Sequence, residues 1–152
     1  MGTQVVLITG ALTGIGRATA FAFAKKGAKV VVSGRHDDKG QALVTELQAL
    51  GAEAEFVRAD VRKEDDVRTL VDKAIERFGR LDVAVNNAGF EGKLGIIQDV
   101  AVEDFRAAHD TNVVGVFLSM KHELRVMADQ RSGSIVNISS AYGHKAAAGA
   151  TA

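Results

Sequence analysis

Along this chain, short unbroken apolar runs alternate with stretches in which apolar side chains recur every three or four residues. The first run, Val5-Val6-Leu7-Ile8, predicts a strand over Gln4–Thr9. Its continuous hydrophobicity suits a strand covered on both faces. A glycine turn follows, then a helix over Gly14–Lys26 that stops at Gly27. Val30-Val31-Val32 marks a second strand, Lys29–Ser33, and Leu43, Leu47 and Leu50 share one face of a helix over Asp38–Leu50. A third strand is predicted at Ala54–Ala59. The next helix carries the clearest period, with Val67, Leu70, Val71, Ala74, Ile75 and Phe78 on one stripe ending at Gly79. Leu81–Asn86 reads as a fourth strand, Gly89–Gly95 as a loop, Val102–Met127 as one long helix, and Ser134–Ser139 as a fifth strand. The tail Ala146–Ala152 has no pattern that fixes a structure.

Strands alternating with helices in this way predict the α/β class: a Rossmann-type, doubly wound parallel sheet. Right-handed crossovers place the strands in the order 3-2-1-4-5. No linker or repeat interrupts the pattern, so residues 1–152 are expected to form a single dinucleotide-binding domain.

The chemistry begins at the first turn. Gly10, Gly14 and Gly16 lie between a buried strand and a helix, the setting a dinucleotide fingerprint requires. Gly10 permits a tight turn, Gly14 lets the backbone approach a pyrophosphate, and Gly16 lets the helix pack close. The helix start offers unpaired N–H groups and its positive dipole end to an anion. Glycines that merely cap a strand and open a helix are the bland alternative. The second strand runs into Ser33-Gly34-Arg35, with no carboxylate where a ribose 2′-hydroxyl would be recognised. Arg35 there can pair with a 2′-phosphate, which favours NADP(H) over NAD(H). A solvated Arg at a strand end is the other reading, and NAD(H) then stays open. Asp60, after the third strand, is also a ready helix N-cap.

Three segments together carry a resemblance. Thr9-Gly10-Ala11-Leu12-Thr13-Gly14-Ile15-Gly16, Asn86-Asn87-Ala88-Gly89 and Ile135-Val136-Asn137-Ile138-Ser139-Ser140 resemble, in order, TGxxxGIG, NNAG and the catalytic-serine strand of the short-chain dehydrogenase/reductase family. The resemblance implies NAD(P)-dependent hydride transfer between a carbonyl and an alcohol substrate. It assigns cofactor contacts to Gly10, Thr13, Gly14, Ile15, Gly16, Arg35, Asp60, Val61, Asn87, Ala88 and Gly89. Thr13 is neutral where NADP(H)-preferring relatives often carry a basic residue. Asp60 would meet the adenine edge and Val61 its pocket. Catalytic roles fall to Ser140, which would bond the substrate oxygen, and to Asn112, which would open its helix locally and hold a water on a proton path. A surface Asn is the alternative at 112. The family's Tyr-x-x-x-Lys pair would begin at the first position after Ala152. The chain therefore resembles the cofactor-binding part of a longer protein, without the family's C-terminal strands, and is expected by itself to bind rather than to turn over. A non-catalytic NAD(P)-binding module and an interaction protein that has lost its ligand are the competing readings. Tyr142, with Ala146 rather than Lys at i+4, reads as a loop residue instead of a substitute acid.

Charge and composition remove other classes. Lys plus Arg and Asp plus Glu are 19 each, so no global basic field recruits nucleic acid. No apolar run is long enough to span a membrane and no signal peptide is evident. The chain has no cysteine, and its four histidines lack ligand spacing, so no metal site is expected. A cytoplasmic homo-oligomer acting on a small molecule is the expectation, since relatives often pair through the long helix.

Overall fold

The computed structural model describes residues 3–141. Tyr142, Lys145 and the alanine-rich tail lie outside the described residues. The elements run β1 (Val5–Ile8), α1 (Gly14–Lys25), β2 (Lys29–Gly34), α2 (Asp37–Ala49), β3 (Ala54–Arg58), α3 (Glu64–Phe78), β4 (Val83–Asn86), α4 (Val102–His109), α5 (Gly115–Gln130) and β5 (Ser134–Asn137). All four strand pairings are parallel and the order is β3-β2-β1-β4-β5. This is the expected doubly wound Rossmann-type sheet.

The continuous apolar runs are explained by the two faces. Val6, Ile8, Val30 and Val32 pack with Ala20, Ala24, Leu43 and Leu47 of α1 and α2. Leu7 and Val31, one residue out of phase, pack with Leu70, Val71 and Ala74 of α3 and Met127 of α5. Each central valine or leucine is thus buried whichever way it points. Leu50 departs from expectation: it caps α2 and is 45% exposed, while Val44 takes the buried place. Edge strand β5 is largely exposed, with Val136 at 46%.

The predicted long helix is interrupted. Residues Asp110–Val114 form one π-helical turn between α4 and α5, and Asn112 sits in it. Such single turns arise where the i→i+4 ladder is broken and side chains are diverted. The helix itself runs on to Gln130, whose side-chain amide bonds the backbone of Leu81 in both directions, at 2.9 and 2.8 Å.

Candidate functional site

In a parallel sheet every strand ends at the same edge, and ligands gather there where the strand order reverses. β1 lies between β2 and β4, so this reversal falls beside the turn after β1. The Gly10–Gly16 turn, Arg35 after β2, Asp60 and Val61 after β3, the Asn87–Gly89 loop after β4 and Ser140 after β5 all follow strand ends at that edge.

The turn is shaped by close approach. Gly10 has φ +61°, and a Cβ there would stand 2.7 Å from Ala88 Cα. A Cβ on Gly16 would meet Asn87 Nδ2 and stand 2.6 Å from Gly10 O. Gly14 differs. Its φ of +54° favours glycine, but nothing lies within 4 Å of a Cβ there, so its outer side is open. Thr13 and Ile15 are exposed beside it. Helix α1 starts after an extended Thr13 that makes no side-chain cap, with no acidic residue in the first turn. By contrast α2, α3 and α4 each carry acidic residues there. The start of α1 is therefore exposed from Thr13 to Ile15 and carries no competing carboxylate, which fits a pyrophosphate.

Asn87 clamps this turn from β4. Its Nδ2 donates to the carbonyls of Thr9 and Gly10, both at 3.0 Å. Thr9 Oγ1 in turn accepts from the backbone N–H groups of Asn87 and Ala88, both at 3.1 Å. Thr9 is 1% exposed, and although it heads the TGxxxGIG segment it was assigned no role from sequence. Its place in that motif, just before a turn glycine, does not say that a distant loop needs an acceptor.

Beyond the ends of β2 and β3, Arg35, Arg58, Ala59, Asp60, Lys63 and Asp66 line an open cleft of about 400 Å³. Asp60 is not the N-cap of α3, because that helix begins three residues after Val61 with Lys63 at the cap. Its carboxylate instead accepts from the Arg62 backbone and guanidinium, and its own N–H donates to Asp66 Oδ2 at 3.0 Å. The hydrogen-bonded Arg62 side chain holds the Asp60 carboxyl down at about 2, with the charge of Arg35 adding to the effect. Val61 is buried, packed with Val67, Leu118, Ala88 and Val114 beneath the edge.

Asn112 uses its whole amide on one residue. Its Oδ1 accepts from Phe90 N–H at 3.1 Å and its Nδ2 donates to Phe90 O at 2.8 Å. The π-turn thereby pins the segment just after Gly89. Ser140 is exposed beyond β5, two residues after Ile138, whose N–H donates to Asn86 O at 2.9 Å.

A second polar group lies beneath. Asn86, 2% exposed, donates through Nδ2 to Glu123 Oε2 and to Asn137 Oδ1, each at 3.0 Å. Glu123 is fully buried on α5, and burial pushes its carboxyl up to about 7 against the opposing Asn86 bond. Glu123 Oε1 and Asn86 Oδ1 both lack a donor among the described residues. One proton on Glu123, shared with Asn86 Oδ1, would satisfy both acceptors. Nothing in the sequence flagged Glu123, which sits among ordinary helix formers. No group of His, Asp and Glu able to hold a metal occurs among the described residues, and none of their helices is long and apolar enough to cross a membrane.

Comparison with known proteins agrees with this fold. The family described as short chain dehydrogenase matches residues 4–152. A 3beta-hydroxysteroid dehydrogenase of Mediterraneibacter gnavus is 39% identical over 92% of this chain and 50% of its own length. Among solved structures, a variant actinorhodin polyketide ketoreductase with NADPH superposes with TM-score 0.93 at 36% identity, covering 97% of this chain and 57% of that one. An NAD+-bound xylitol dehydrogenase gives TM-score 0.94 at 33% identity, covering 97% and 56%. The chain spans about half the length of the curated relatives it matches. With the glycine turn, the Asn87 clamp and the serine strand gathered on one edge, and a family match over nearly its whole length, the chain belongs to the short-chain dehydrogenase family.

Proposed function

We propose that residues 1–152 form the cofactor-binding unit of an oxidoreductase that moves hydride between NADP(H) and a small carbonyl or alcohol substrate. The observation that carries it is the open, uncapped start of α1 at the sheet's reversal point, flanked by the Arg35 cleft. Gly10, Thr13, Gly14, Ile15 and Gly16 would cradle the pyrophosphate, and Asn87, Ala88 and Gly89 would lie along the cofactor where β4 ends. Asp60 and Val61 belong to the adenine end. Bound nicotinamide supplies the hydride chemistry, and the protein supplies position and electrostatics. Ser140 would donate to the substrate oxygen. Asn112 would act at the proton path by fixing the backbone of Phe90.

Arg35 supports the 2′-phosphate over a free hydroxyl. It forms no ion pair among the described residues, and the acid beside it, Asp60, already pairs with Arg62 at 2.5 Å. Relatives with NADPH and with NAD+ are both similar to this chain, so the preference rests on the cleft. Exposed apolar side chains on α4 and α5, Phe105 at 50% and Phe117 at 63%, favour a homo-oligomer, and the cysteine-free composition suits a cytoplasmic one.

Calorimetric titration tests the reading. NADP+ should bind the chain more tightly than NAD+, and Gly14→Val should abolish both. Retained binding in Gly14→Val, or equal affinity for the two nucleotides, refutes it. Binding without turnover in the longest native product favours the non-catalytic module.

A further inference from the structure

The end of β2 holds a glycine that the backbone itself does not require. Gly34 lies in an extended strand, without the positive φ seen at Gly10 or Gly14. A glycine in such a place marks close approach by something else. Here it is Leu12: a Cβ on Gly34 would stand 2.5 Å from Leu12 Cδ1 and 2.6 Å from Cγ. The second distance matters more, because Cγ cannot swing away without moving the whole side chain.

Backbone bonds hold both partners in register. Ala11 N–H donates to Ser33 O at 2.9 Å, which stitches the glycine turn to β2 and sets Leu12 over Gly34. Ala59 N–H donates to Gly34 O at 3.0 Å, which fixes the other side against β3. Leu12 packs against the apolar cluster of β1, β2, α1 and α2, so leaving would uncover that cluster. Gly34 also stands twenty residues after Gly14, at the strand end where a carboxylate normally recognises a ribose 2′-hydroxyl.

We propose that Leu12 is a specificity-determining residue, filling the space a side chain at position 34 would need and so keeping an acid off the end of β2. Arg35 and Lys63 of the neighbouring cleft, which Asp60 and Asp66 also line, would then face the ribose without a carboxylate at position 34 between them, while Arg58 pairs with Asp37 at 3.6 Å. The inference rests on the NADP(H) reading above and adds to it a steric cause seated in the phosphate turn. It follows that cofactor preference cannot be reversed at β2 alone.

Two variant series test it. Gly34→Ala and Gly34→Asp should each lower Tm by several degrees in the native background, whereas adding either to Leu12→Ala should cost little. In calorimetry Gly34→Asp alone should weaken NADP+ without improving NAD+. The double variant Leu12→Ala/Gly34→Asp should bind NAD+ at least tenfold more tightly than Gly34→Asp does. Either of two results overturns the proposal: Gly34→Asp alone binds NAD+ as well as the double variant, or the double variant stays unfolded while Leu12→Ala folds. The alanine series reads the contact without any nucleotide. A native chain with no preference for NADP+ would instead sink the cofactor reading, and the specificity role with it, whatever the Tm series gave.

Discussion

Raising the pH should weaken this fold through one buried carboxyl, Glu123. In the folded chain it is pushed up to about 7 from the ordinary glutamate value of 4.5, first by burial, with the Asn86 bond opposing. Below pH 4.5 both folded and unfolded states carry the proton, and the contribution is fully present. Between 4.5 and about 7 the unfolded chain releases it while the native chain keeps it, so stability falls as pH rises; above about 7 the loss is complete. Each pH step in that window is worth about 1.4 kcal/mol, a total of about 3 kcal/mol. For a chain of this length that corresponds to roughly 6–12 °C in Tm. Glu123→Gln supplies the control, because its amide stays neutral, can keep the bond to Asn86 Nδ2 and can donate to Asn86 Oδ1. Denaturant unfolding of both proteins across pH 4–9 should give a flatter profile for the variant. The two should be nearly equal in acid, with the variant ahead by about 3 kcal/mol at alkaline pH. Parallel profiles, or a variant no more stable than the native chain at alkaline pH, would refute the assignment of a proton to Glu123.

Thr9→Val should destabilise by about 2 kcal/mol or more, since it strips the acceptor from two N–H groups, whereas Thr9→Ser should not; chemical denaturation separates them. Gly16→Ala drives a methyl into Asn87 and the Gly10 carbonyl and should cost about 1–3 kcal/mol along with nucleotide affinity, as read by Tm and titration. Asn112→Leu removes both bonds to Phe90 and should speed hydrogen exchange at the Phe90 amide about tenfold or more. Arg62→Ala removes the bonds that hold Asp60 at about 2, so an NMR titration should find its carboxyl moved back toward 3.8; an unmoved midpoint contradicts the pairing. In the native chain that pairing stabilises above 3.8 and is lost as pH falls through about 2.

The sheet was legible because burial on both faces leaves unbroken runs such as Val5–Ile8, and the stripe of α3 because only one face is buried. The glycine turn was legible too, since Gly10 and Gly14 are forced by backbone geometry that few other residues adopt. Long-range pairings were not. Thr9 reads as any strand-end threonine until Asn87 arrives from seventy-eight positions away. Glu123 looks like a surface residue of an amphipathic helix, and its burial depends on where β4 and β5 fall. The break in the long helix was expected at Asn112 from resemblance, but its partner, Phe90, follows only from the tertiary arrangement. Asp60 satisfied the pattern of an N-cap, yet a neighbouring guanidinium claimed it. Local signals thus name the turn, and contacts distant in sequence decide what holds it.

The clamp between Asn87 and the Thr9–Gly10 carbonyls has a consequence for the order of events as the chain folds. β1, α1 and β2 contact one another early because they are close in sequence, but the turn between them is fastened by a residue beyond β3 and α3. Closing so long a loop is slow relative to local pairing. A nascent chain that has emerged only as far as Arg58 can therefore form its first βαβ unit and still lack the bonds that fasten the glycine turn. On the proposed function, nucleotide capture would be a late checkpoint that reports the docking of β4 beside β1.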